Sequence, residues 1–111
     1  MLFFTNRLIP EGRAGCAYFF VALVRPEYRD DTGLIAHELV HVRQFWHLPF
    51  IHGILYRFWP SYRYRCELEA YREQLRHSPH AALIFARYLA ETYDLPITIA
   101  QALKDLNGTP D

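Results

Sequence analysis

The sequence predicts one small α+β domain spanning residues 1–111, and three observations carry that expectation. Two runs rich in aromatic and β-branched residues fall near the N-terminus, and helix-periodic segments fill the remainder. Apolar residues make up 51% of the 111 positions, enough for a single core without cross-links.

Residues 2–9 read as the first strand, closed by the turn signal Pro10-Glu11-Gly12. Residues 17–25 read as the second. They are aromatic and β-branched almost throughout, as in a strand buried on both faces, and Pro26 ends them. A helix is then expected from about Thr32 to His47. Asp30, Asp31 and Thr32 offer N-cap side chains, Pro49 lies just beyond the end, and Ile35, Leu39, Val42 and Trp46 form an apolar stripe at helical spacing. Residues 50–59 are a short, strongly apolar segment. Pro60 suits the first position of a further helix running to about His77. Two more helices close the chain, from about Pro79 to Tyr93 and from Thr98, whose spacing to Gln101 is that of a capping box, to Leu106.

The 12 basic and 12 acidic residues cancel, but unevenly along the chain. Residues 1–66 carry eight Arg against five acids, and residues 67–111 carry four cations against seven acids. Between Leu39 and Cys66 there is no acid, against four Arg and three His. A local basic surface follows, with peripheral contact through the apolar 50–59 segment as one use for it, yet the whole is not the profile of a specific nucleic-acid binder. Cys16 and Cys66 stand too far apart to suggest a disulfide framework and read as free buried thiols. The N-terminal Met1-Leu2-Phe3-Phe4 does not resemble a signal-peptide core, and the apolar run Cys16–Val24 is too short to span a bilayer. The expectation is a soluble cytoplasmic protein.

The most informative stretch is His37-Glu38-Leu39-Val40-His41. On a helix the two imidazoles stand one turn apart on one face, where two ligands of a single Zn2+ ion belong. Glu38 flanks such an ion without ligating it, and its carboxylate can take the proton of a zinc-bound water and deliver it to a leaving amine. Catalytic zinc ordinarily has a third protein ligand, and three candidates compete for that place. Glu69 lies on the helix beginning at Pro60; Glu67 and Glu69 point about 200° apart on it, so only one of them faces the metal. Leu68, Tyr71 and Leu75 form an apolar stripe there, and Glu73 follows Glu69 one turn later on the same face, where it can accept a hydrogen bond from a ligating imidazole. His47 has the third-ligand spacing of the metzincins. Gln44, however, stands where that pattern needs a glycine to bend the chain, and no methionine other than Met1 is present for a Met-turn. Cys66, the third candidate, would suit a structural site.

A strand, an H-E-x-x-H helix and a second helix carrying Glu69-Ala70 with an acid four positions later together resemble the gluzincin branch of zinc metallopeptidases. In a chain of this length the resemblance is to the single-domain minigluzincins, and it covers about residues 17–77. It implies a zincin-like fold in which a short sheet packs on the motif helix, a glutamate helix and C-terminal helices. It further implies His37, His41 and Glu69 as ligands of one zinc ion, Glu38 as general base and acid, Glu73 as the acid orienting a ligating histidine, and a peptide or protein substrate. For the group that stabilises the oxyanion, Tyr62, Tyr64, Tyr71, His52 and His77 are all candidates. The rival expectation is a non-catalytic or latent zincin-like binding module in which the zinc is structural.

Overall fold

A two-residue turn, Phe19-Phe20, shapes the N-terminal part of the molecule. In the computed structural model, which describes residues 1–108, the expected second strand is folded back on itself. Strands β2 (Gly15–Tyr18) and β3 (Val21–Val24) pair antiparallel with Tyr18 opposite Val21. Phe19 takes a φ of 53°, the left-handed conformation used by tight hairpin connections and normally signalled by Gly or Asn. With Phe at both turn positions that signal is missing, so a single strand over 17–25 is corrected to a hairpin. The first strand is also shorter than expected: β1 is Leu2–Phe4, and residues 5–9 leave the sheet. The Arg25 guanidinium gathers this departing loop by donating to the carbonyls of Ile9, Pro10 and Arg13.

β1 pairs parallel with β3, giving the order β1-β3-β2. The central strand is the most buried, with Ala22 and Val24 wholly inside, and β2 is left as an edge. A Cβ on Gly15 would lie 2.9 Å from the Leu23 carbonyl oxygen and 3.4 Å from Glu38 Oε2. Glycine is what lets the start of the edge strand lie directly against the motif helix.

That helix, α1 (Thr32–His47), has the expected bounds. The Asp31 carboxylate accepts from the Leu34 amide at 3.0 Å, satisfying one of the orphan donors of the first turn. Its orientation differs from expectation. Of the stripe Ile35, Leu39, Val42 and Trp46, only Val42 is buried, while Leu39 and Trp46 are exposed. The buried side chains are instead His37, Glu38, Val40, Val42 and Gln44. The reason is the partner on that side: α1 packs its polar face against α3 (Pro60–His77), which presents Cys66, Glu67, Ala70 and Tyr71. Small residues permit the close approach, since Ala70 is fully buried and a Cβ on Gly33 would meet Gln74 and His77 at 3.2 Å.

Between them, the apolar 50–59 segment forms a short helix, α2 (His52–Phe58), and Pro60 opens α3 as the sequence suggests. After a 3-10 turn at Pro79–Ala81 come α4 (Ala82–Glu91) and α5 (Ile99–Asn107). Thr98 caps α5 by accepting from the Gln101 amide, but the Gln101 side chain turns to Asp105, so only half of the capping box is made. Tyr71, Phe85, Leu89, Ala102 and Leu106 build the main core between α3, α4 and α5, and Ile9, Cys16 and Leu23 build a smaller one under the sheet. Both cysteines are free and buried. No described helix is long and apolar enough to cross a membrane.

Candidate metal centre

The α1–α3 seam brings three ligand atoms to one point. His37 Nε2 and His41 Nε2 are 3.2 Å apart, and Glu67 Oε1 lies 3.1 Å from the second and 3.5 Å from the first. Donor atoms about 2.0–2.1 Å from a tetrahedral zinc ion stand about 3.3–3.4 Å from one another, so this triangle has the dimensions of one face of such a shell. The donor set also fits, because two imidazoles and a carboxylate suit zinc, and all three residues lie at or near full burial.

Glu67, and not Glu69, is therefore the carboxylate that joins the two histidines. The 200° between them on α3 settles which one faces inward. Cys66, Glu67, Ala70 and Tyr71 make the buried face, and Glu69 falls outside it with its side chain about half exposed, 3.6 Å from the Arg43 guanidinium. Glu73 falls outside too and pairs with Arg76 at 3.3 Å, so it meets neither imidazole. His47 is exposed in the last turn of α1, and Cys66 is buried but outside the triangle. A signal for Glu67 was present in the sequence: Cys66 and Ala70 are the small residues four apart that a close helix crossing needs, and Glu67 belongs to their side of the helix.

The supporting bonds come from residues that spacing did not single out. Gln44 Oε1 accepts from His41 Nδ1 at 2.9 Å, which fixes the ring with Nε2 toward the triangle. The Gln44 amide in turn donates to the Cys66 carbonyl at 2.9 Å and to Glu69 Oε1 at 2.7 Å. Glu69 thus acts on the site at one remove, through Gln44. Tyr56, on α2, donates its hydroxyl to Glu67 Oε2. Tyr71 packs edge-on against the His37 ring at 4.3 Å between centroids and shares a hydrogen bond with Tyr93 at 2.7 Å. Among the described residues the one buried side-chain polar atom without a protein partner is His37 Nδ1. It belongs to a residue lining a cavity of about 730 Å³.

Electrostatics follow from burying two bases beside two acids. Burial alone would lower the His41 pKa. The Glu67 charge and hydrogen bond, with help from Glu38 and Gln44, outweigh it and raise the value from 6.5 to about 9. Burial pushes Glu67 up, and the two imidazoles more than reverse this, holding it well below the usual carboxylate range. Glu38 ends up raised, since burial and the Glu67 charge exceed the help from the histidines and Arg13. In the metal-free protein the raised His41 contributes stability that is whole below pH 6.5 and lost as pH rises through about 9. A metal must displace that proton. Zinc binding at pH 7 should accordingly release about one proton, and the apparent affinity should climb about tenfold per pH unit until pH approaches 9. Titration calorimetry in buffers of different ionisation enthalpy reads the proton directly. Tyr56→Phe keeps the ring and removes the bond to Glu67, so affinity should drop about 10–100-fold, as measured by competition with a chromophoric chelator.

Glu38 stands where two clefts meet. One, of about 350 Å³, is walled by Cys16–Phe19, with Phe45 packed on Phe19, and by His52, Gly53 and Tyr56 of α2, and it is also lined by His41, Glu38 and Glu67. The other, of about 730 Å³, opens past Gly12–Gly15 toward Tyr71, Tyr88 and Tyr93. Arg13 lines both. No family model, curated protein or solved structure matches the chain. The chemistry of the site therefore rests on its own geometry. Of the five candidates for stabilising an oxyanion, Tyr62 bonds to His52 Nδ1 at 2.7 Å, Tyr64 to Asp105 at 2.5 Å, and His77 to Thr32 at 3.3 Å. His52 alone lines the smaller cleft, and Tyr71 lines the larger.

Proposed function

We propose that this chain is a zinc-dependent peptidase with a zincin-like active site whose metal ligands are His37, His41 and Glu67 and whose general base and acid is Glu38. The observation that carries the reading is the triangle of ligand atoms 3.1–3.5 Å apart with the buried Glu38 carboxylate beside it in an open cleft. A zinc ion held there supplies Lewis acidity, lowering the pKa of a water and polarising a carbonyl.

The residues of the chain do the rest. Edge strand β2 borders both clefts and offers backbone donors and acceptors to an extended peptide, which would run past Glu38 by adding to the sheet. Glu38 takes a proton from the attacking water as the new C–O bond forms. It returns that proton to the amide nitrogen as the C–N bond breaks. A carboxyl raised by burial is a stronger base than a free carboxylate, which suits the proton uptake that the attack requires. With Tyr62 donating to His52 Nδ1, the Nε2–H of His52 is left as a donor for the developing oxyanion. Tyr56 and Gln44 hold Glu67 and His41 in place throughout.

The test is incubation of the zinc-loaded protein with a diverse mixture of unstructured peptides, with products read by mass spectrometry. Cleavage that stops with a chelator and returns with zinc supports the peptidase. Stoichiometric zinc without cleavage of any peptide would mean a binding module with a structural ion.

A further inference from the structure

The outer face of α2 is apolar and uncovered. Phe50, Ile54 and Phe58 recur at four-residue spacing, Ile51 lies beside them, and Phe50 is 93% exposed. The inner residues His52 and Tyr56 line the smaller cleft. A second exposed aromatic group stands on the opposite wall, where Phe20 of the hairpin turn packs on Trp46 of α1 with ring centroids 6.0 Å apart, and Phe19 packs on Phe45 at 5.7 Å. Neither group belongs to a core cluster.

The charge on this face bears on what would cover it. From Leu39 to Cys66 there is no acid, and Arg43, Arg57, Arg63 and Arg65 all fall in that stretch. Arg57 lies on the stripe itself, its guanidinium 5.6 Å from the Phe58 ring centroid. Arg63 is engaged with the backbone of Tyr56, Arg57 and Tyr93, Arg43 is near Glu69, and Arg65 lines a surface shared with Glu69 and Glu73, so the exposed cation on this face is Arg57. A second copy placed face to face would bring one Arg57 toward the other, and the 39–66 stretch has no acid to meet either. An anionic bilayer meets both requirements, accepting the aromatic side chains at the level of its headgroups while the guanidinium reaches lipid phosphates.

We propose that α2 and the Phe19-Phe20 turn dock this protein on anionic membrane surfaces, with the mouth of the smaller cleft between the two points of contact. A helix of seven residues lies in the interface and does not cross it. This docking is independent of the metal chemistry and stands or falls separately from it.

The two tryptophans are both about 60% exposed, Trp46 packed on Phe20 and Trp59 following Phe58 at the end of α2, so intrinsic fluorescence reports on this region. The full chain is titrated with vesicles of phosphatidylcholine plus phosphatidylglycerol, and with vesicles of phosphatidylcholine alone, and its mass is followed by sedimentation. The expected result is a shift of emission to shorter wavelength with the anionic vesicles, weakened by added salt. Partitioning should fall more than about tenfold in Phe50→Ser/Phe58→Ser and about tenfold or more in Arg57→Glu. These are exposed positions, and an unchanged thermal transition verifies the fold of each variant. Emission unmoved by anionic vesicles would overturn the proposal. So would emission already blue-shifted without lipid together with twice the chain mass, which would assign the face to a second copy.

Discussion

Glu67→Ala should strip zinc from the purified protein, and Glu69→Ala should leave it bound. The two glutamates are two positions apart, yet their environments have nothing in common. Glu67 is 2% exposed and reaches both imidazoles, whereas Glu69 is half in solvent beside Arg43. Loss of an outer-shell partner costs about 10–100-fold in metal affinity, and loss of a ligand costs more. The expected fall for Glu67→Ala is therefore beyond about 100-fold, enough to leave little metal after dialysis against a weak chelator. Glu69→Ala removes only one of the two acceptors of the Gln44 amide, and the Cys66 carbonyl retains the other. Its expected effect is less than about tenfold, below that of an outer-shell partner in direct contact. Metal analysis of the two variants beside wild type decides the matter. Zinc lost from Glu69→Ala and kept by Glu67→Ala would reject the site described above.

Glu38→Gln should keep its zinc and lose its hydrolysis. The side chain is no member of the ligand triangle, and glutamine preserves its shape in the tight contact with Gly15. What disappears is the capacity to accept and return a proton, a contribution of about 10²–10⁴-fold in rate. Since the carboxyl is already raised by burial, a neutral amide adds little desolvation cost, and the thermal transition should move little. The decisive comparison is kcat/KM for a cleaved peptide together with zinc content on the same preparation. Metal lost along with activity would show that Glu38 holds the ion and does not merely face it.

The local signals in this chain were legible wherever the backbone itself enforces them. Asp31 and Pro49 bracket α1, Pro60 opens α3 and Thr98 caps α5, and each does so through a steric or hydrogen-bonding effect confined to a few residues. The pairing of His37 with His41 was equally local, being one helical turn. The choice between Glu67 and Glu69 was not local, because it depends on how α3 is rotated about its own axis. That rotation is set by what α1 presents. The apolar stripe Leu68, Tyr71 and Leu75 does pack on the core with α4 and α5, but the small residues Cys66 and Ala70 make a second buried face toward α1, and the stripe alone does not reveal that face. The hairpin at Phe19-Phe20 was hidden for a different reason: its left-handed turn is paid for by aromatic packing on Phe45 and Trp46, contacts more than twenty residues away along the chain. Residues 52–58 form a helix that the sequence does not announce, since a short apolar segment has no periodicity long enough to read.

The polar seam between α1 and α3 has one more consequence. Two helices joined by leucines can slide or roll by part of a turn and still bury the same area, so their alignment is only loosely specified. Here the joining bonds run from His41 to Glu67 and from the Gln44 amide to the Cys66 carbonyl and Glu69, and each is directional. A slip of a single turn would leave every one of these buried groups unmatched, at a cost of about 1–3 kcal/mol apiece. The seam therefore works as a register key. The precision with which three donor atoms meet and the precision with which two helices align are a single property of this chain, and a substitution that loosens one loosens the other.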